Sequence, residues 1–168
     1  MEKLTVLANR FVAHIQNIVE RLRGHVVVFD FDGTMTEFHY AETSLLPCKD
    51  DDIYEYSKTQ NIYANARMLA TMQYVIEQLD PNCVFVLTRT EATLIGKKND
   101  CIYENFPTIK KDNIYHVQLA DEKLQVLESV HKRFGTNVVF VEDTFKTILN
   151  AEETMPFIKG VHISSFLI

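Results

Sequence analysis

The stretch that most constrains this chain is Val26-Val27-Val28-Phe29-Asp30-Phe31-Asp32-Gly33-Thr34-Met35-Thr36. A run of β-branched and aromatic residues carries straight into two carboxylates, and Gly33 breaks the run. Such an apolar segment reads as a strand buried on both faces, as in a parallel sheet. Burying Asp30 and Asp32 at its end is costly unless cations or hydrogen bonds compensate. Metal binding, nucleophilic attack and proton transfer are the three chemistries that would use them.

The rest of the chain repeats the pattern. Residues 3–23 place Leu4, Leu7, Phe11, Ile15, Ile18, Val19 and Leu22 at helical spacing, which predicts an amphipathic helix packed along one stripe and ended by Gly24. His14 is expected at the edge of that stripe, as a packed residue. Residues 37–60 carry Pro47 and Asp50-Asp51-Asp52 and read as a loop or flap, the acids being solvated. Helical periodicity resumes from Asn61 with Leu69, Met72, Ile76 and Leu79 on one face. Cys83–Leu87 is a second buried strand ending in Thr88-Arg89-Thr90. A helix from near Glu91 to Tyr103, a strand over Ile114–Leu119 and a helix opening at Asp121-Glu122-Lys123 follow. The fourth strand, Val138–Val141, ends in Glu142-Asp143-Thr144, and a last strand is expected around Gly160–Ser164. Strands alternating with helices predict a single α/β domain over residues 1–168, with a three-layer, Rossmann-like, mostly parallel sheet.

At the carboxyl ends of those strands stand Asp30 and Asp32, Thr88, and Glu142 with Asp143. Ligands bind there in open α/β sheets. Carboxylates converging on one point repel, and a hard divalent cation such as Mg²⁺ resolves the repulsion. Thr88 adds a hydroxyl, and Lys123, at a helix start, is long enough to reach an anion. Lys97 and Lys98 are rival anion clamps, and Asp143 could instead cap the following helix.

Together these residues resemble the four motifs of the haloacid dehalogenase (HAD)-like superfamily, mostly phosphatases and phosphotransferases. Asp30-Phe31-Asp32-Gly33-Thr34 is similar to the first motif, Thr88 to the second, Lys123 to the third, and Glu142-Asp143 to the paired acids of the fourth. The resemblance implies that Asp30 is the nucleophile, that Asp32 is the acid/base, and that Thr88 and Lys123 hold the phosphoryl oxygens. It also implies Mg²⁺ on the Asp30 carboxylate, the Asp32 backbone carbonyl and Asp143, with Glu142 behind them ordering Lys123. Asp32 favours phosphoryl transfer to water over dehalogenation, because it can protonate a departing oxygen.

The gaps between motifs hold no full cap domain, so the site is expected to be open and suited to a phosphorylated protein. Phe38, Tyr40, Tyr54 and Tyr56 would form an aromatic rim or pack under the loop that carries them. A small-metabolite phosphatase and a catalytically silent phosphoprotein-binding domain are the alternatives. The net charge of −6 disfavours a nucleic-acid partner. Cys48, Cys83 and Cys101 lack the spacing of a metal site or disulfide framework, and Cys83 is expected to act as a small core hydrophobe. With no signal peptide and no membrane span evident, a reducing, cytoplasmic setting is expected.

Overall fold

The computed structural model describes residues 2–37, 57–64 and 66–167. Helix α1 spans Glu2–Leu22, β1 Val26–Phe29, α2 Ala70–Glu77 and β2 Val84–Arg89. Helix α3 (Ile95–Asn105), β3 (Ile114–Val117), α4 (Glu122–Phe134), β4 (Val138–Glu142), α5 (Phe145–Thr154) and β5 (Ile158–His162) complete the alternation. The five strands form one sheet in the order β3-β2-β1-β4-β5, and every pairing is parallel. The fold is therefore the expected three-layer α/β arrangement.

Strand alternation decides what each face buries. Val27 and Phe29 of β1, Val84 and Val86 of β2, and Val139 and Val141 of β4 face a core closed by α1, α2 and α3. Val26 and Val28, Phe85 and Leu87, and Val138 and Phe140 face the opposite core, closed by α4 and α5. Burying each of these side chains stabilises the fold by roughly 1.5–3 kcal/mol. The central strand β1 is buried at every position, which is why its sequence shows no polar alternation.

Several expectations need correction. Helix does not begin at Asn61. Residues 62–64 make a turn, Leu69 N–H donates to Met35 O at 3.0 Å, and Glu37 N–H donates to Arg67 O at 2.8 Å. The chain there lies beside the turn after β1, with Thr36 bridging Met68, and those backbone bonds replace helical ones until Ala70. The last strand starts earlier, at Ile158, because Ile158 pairs with Val138. Strand β3 stops at Val117, since the N–H groups of Gln118 and Leu119 donate to the Glu122 carboxylate.

Helix α1 packs only along its C-terminal half, through Ile15, Val19 and Leu22, whereas Leu4 and Leu7 are 72% and 55% exposed. A 21-residue helix is roughly 30 Å long. Strands of four to six residues run only about 13–20 Å, so the helix overhangs the sheet it covers. His14, near the packed half, is bonded to Ser165 O. Cys83 is half-buried just ahead of β2, and Cys101 is the buried thiol. Among the described residues no helix is long and apolar enough to cross a membrane. The predicted rim of Phe38, Tyr40, Tyr54 and Tyr56, the Asp50–Asp52 loop and Cys48 lie outside the described residues.

Candidate functional site

Because the sheet is parallel, all its strands end at one edge. Phe29 is in register with Val86 and Val141, and Asp30 N–H donates to Val141 O at 2.9 Å. Asp30 and Glu142 therefore end level, with Thr88 one residue further along, around a cleft of about 560 Å³. Alternation then divides them. Asp30 and Glu142 continue the face of Val28 and Phe140, on the α4 side. Thr88 continues the face of Val84 and Val86, on the α3 side.

On the α4 side, Lys123 Nζ donates to Asp30 Oδ1 at 2.6 Å and to Glu142 Oε2 at 2.7 Å. All three residues are buried. The lysine is placed by the start of α4, where Glu122 ties down the preceding turn. Burial works against the Lys123 charge, but Asp30 and Glu142 outweigh it and hold the ammonium well above the ordinary lysine range. Burial pushes Asp30 up to about 7; Glu142 and Asp32 add to the rise and Lys123 opposes it. Burial likewise raises Glu142, with Lys123 opposing and Asp143 adding to the rise.

Glu142 also accepts from Thr144 N–H through Oε1 at 3.2 Å, which braces the turn that carries Asp143. His162 Nε2 lies 2.8 Å from Asp143 O. A carbonyl only accepts, so His162 donates from Nε2 and holds that turn from β5. Thr144, not Asp143, is the N-cap residue of α5.

On the α3 side, Lys98 Nζ donates to Asp32 Oδ2 at 2.6 Å, to Thr88 Oγ1 at 2.9 Å and to Arg89 O at 3.0 Å. Thr88 Oγ1 donates to the same Asp32 oxygen at 3.3 Å, and the Tyr63 hydroxyl hydrogen-bonds the Asp32 carboxylate. Burial, then the Asp32 charge, raises the Tyr63 phenol above its usual range. Gly33, at φ 79°, supplies the left-handed step that lets the chain turn at this point. Met35 N–H and Thr36 N–H then close back onto Phe31 O.

Behind Thr88, His116 Nε2 meets Asn99 Oδ1 at 2.9 Å and Nδ1 meets Thr90 Oγ1 at 3.0 Å. Burial, then the Lys98 charge, lowers this imidazole to about 4, so it is neutral near pH 7.

The structure thus brings Asp30, Asp32, Thr88, Lys123, Glu142 and Asp143 around one cleft. Of the rival lysines, Lys97 is exposed and Lys98 is buried in the site. Sequence reasoning gave Tyr63 no role, because it lies in an irregular segment. Lys98 did leave a signal: Leu94, Lys98, Cys101 and Ile102 form one buried stripe at helical spacing, so that lysine occupies a core-facing position.

Asp30, Glu142 and Asp143 each offer a carboxylate oxygen, and these oxygens lie within 4.8 Å of one another. An all-oxygen donor set of this kind suits a hard divalent cation. Both Glu142 oxygens already accept hydrogen bonds, which makes Asp30 and Asp143 the better placed pair to hold an ion. No protein-family model matches the chain, and no curated protein matches it.

Proposed function

We propose that this protein is a Mg²⁺-dependent phosphomonoester hydrolase of the HAD-like type, working through an aspartyl-phosphate on Asp30. The observation that carries the reading is the placement of Lys123 between Asp30 and Glu142, with Asp143 adjacent, on one side of a cleft whose other side presents Asp32 and Thr88. That arrangement supplies a nucleophile, an acid/base and anion-holding groups around one space.

An Asp30 carboxylate oxygen attacks phosphorus, and the bond from phosphorus to the leaving oxygen breaks. Asp32 gives that oxygen its proton. Water then attacks the phosphorus of the aspartyl-phosphate and yields a proton to Asp32; the bond to Asp30 breaks, and inorganic phosphate leaves. Thr88 and the Lys123 ammonium hold the transferring oxygens. Asp30 and Asp143, with the Asp32 backbone carbonyl, would hold Mg²⁺, whose positive charge would offset the crowd of carboxylates and the incoming phosphate. Glu142 keeps Lys123 in place.

The number of parts matches the size of the task. Phosphate-monoester hydrolysis needs acceleration up to ~10²¹-fold, roughly 28 kcal/mol. A single well-placed donor contributes only about 3–4 kcal/mol.

The substrate class we infer is a phosphorylated protein side chain, phosphotyrosine or phosphoserine/threonine, because the sequence from Thr36 to Cys83 and from Thr88 to Lys123 is too short to add a full cap domain to the elements of the core. Release of phosphate from an aryl phosphate is expected with Mg²⁺ and not with chelator or with Asp30→Asn. Equal rates in all three would overturn the covalent, metal-dependent mechanism. A kcat/KM higher for sugar or nucleotide monophosphates than for phosphopeptides would replace the protein substrate with a small metabolite.

A further inference from the structure

We infer that Lys98 is a positioning residue for Asp32, not an anion clamp; the inference rests on the phosphohydrolase reading above. An ammonium has three N–H donors, and all three of Lys98 are taken by Asp32 Oδ2, Thr88 Oγ1 and Arg89 O. None is left for a phosphate. The side chain is 1% exposed and is not part of the cleft wall. Its head lies 5.8 Å from the ring centre of Phe31 and 5.3 Å from that of Tyr63, which close it off from solvent.

The contrast with Lys123 is direct. Lys123 makes two such bonds, to Asp30 and Glu142, lines the cleft, and keeps a third donor for a phosphoryl oxygen.

Taking a lysine out of water is costly, and here the cost is offset at one place. Lys98 donates to one Asp32 oxygen, Oδ2, at 2.6 Å, and the Tyr63 hydroxyl also hydrogen-bonds that carboxylate. These two bonds stop the carboxylate from rotating about Cβ–Cγ and give Oδ1 a fixed direction, while the single Thr88 hydrogen can turn to the substrate. Asp32 sits on a turn beyond the end of β1, tied there by a single backbone bridge to Thr36, and Lys98 braces its side chain from α3. A group that transfers a proton in the transition state must sit within hydrogen-bond reach of the leaving oxygen, and a misplacement of about 1 Å can cost about 100-fold.

The test separates this role from plain structural support. An alkyl phosphate needs its leaving oxygen protonated, whereas p-nitrophenyl phosphate does not. Because kcat/KM reports only the steps through departure of the leaving group, Lys98→Met should lower it about 100-fold on the alkyl ester. On p-nitrophenyl phosphate kcat/KM should stay within about 3-fold of wild type, any fall in kcat there being matched by a fall in KM, since Asp32 also serves the hydrolysis step. In the D32N background, Lys98→Met should add less than about 3-fold on the alkyl ester, since its effect runs through Asp32.

Both esters are assayed on one preparation, so any loss of folded protein cancels in their ratio. Should Lys98→Met give no folded protein, Lys98→Gln is expected to shift the ratio in the same direction. Equal losses on the two esters, full additivity with D32N, or failure of both lysine variants to fold would overturn the positioning role while leaving the phosphohydrolase reading intact. A wild-type protein inert towards both esters with Mg²⁺ would instead overturn the phosphohydrolase reading itself, and this inference with it.

Discussion

The two lysines at the head of the sheet reach it from opposite faces, and they are bonded differently. Lys123 comes from α4 and lies between two buried carboxylates, on the side where oxygens converge. Lys98 comes from α3 and meets one carboxylate, a hydroxyl and a backbone carbonyl. Strand alternation produces the difference: Asp30 and Glu142 point to one layer, Thr88 to the other. The α4 half is overloaded with negative charge and is suited to hold a cation. The α3 half is saturated with donors and is suited to hold Asp32 still. A buried lysine beside an aspartate is thus not one kind of object; the count of its remaining donors decides what it can do.

Removing Lys123 should break the comparison most severely. Lys123→Met leaves Asp30 and Glu142 buried without their cation, and loss of one partner of a buried pair costs about 3–5 kcal/mol. Phosphate release should fall by about 10³-fold. Thermal melts at pH 8 should show the lost stability, which should shrink towards pH 5 as the two carboxyls take up protons.

Metal should act on the α4 half alone. At 100 times its Kd, Mg²⁺ should add about 2.7 kcal/mol of stability, and the shift in Tm should be larger at pH 8 than at pH 5. Below about 7 a proton already neutralises Asp30 and competes with the ion. In Asp30→Asn the shift should largely vanish.

The two halves should also respond to pH with opposite sign. Asp30 is raised to about 7 in the folded protein, so its contribution to stability is complete below the ordinary value of 3.8 and is lost as pH rises through 7. His116 is lowered to about 4; its contribution is complete above the ordinary 6.5 and is lost as pH falls towards 4. Between pH 5 and 7 the two oppose each other. Without metal, His116→Gln should melt higher as pH falls from 7 to 5, and Asp30→Asn should melt lower, with the wild type flatter than either. Parallel slopes in the two variants would refute the assignment.

The smallest effect is expected at Tyr63. Tyr63→Phe removes one hydrogen bond to Asp32 and leaves the ring over Lys98. A loss of about 1 kcal/mol corresponds to a fall in kcat/KM on an alkyl phosphate of about 5-fold, with little change in Tm.

Much of this site was legible in the sequence because it follows one rule, that polar groups ending a buried parallel strand meet at one edge. Asp30, Thr88 and Glu142 obey it directly, and Lys123 follows from the helix start that precedes β4. Lys98 was legible only as a candidate. A Lys-Lys pair on a helix reads as a solvated face, and the buried stripe of α3 resolves which of the two turns inward. Tyr63 was not legible, since no periodicity fixes where a side chain points in an irregular segment. The same reason explains the false helix start at Asn61. Leu69 sits in helical phase with Met72 and Ile76, but backbone bonds to the turn after β1 hold residues 67–69 out of the helix. The overhang of α1 was equally hidden, because an apolar stripe does not reveal how long a sheet lies beneath it.

The central position of β1 has a consequence for how the molecule assembles. Lys123 lies 93 residues from Asp30 along the chain and only 19 from Glu142. The α4–β4 pair can form as a local unit, but Asp30 joins it only when a long segment closes. Closing such a loop is entropically costly and slows folding relative to local contacts. Until it closes, Lys123 and Glu142 have each other as partners, and Asp30 remains hydrated. The charged heart of the cleft is therefore expected among the last contacts made, after the helices that flank it.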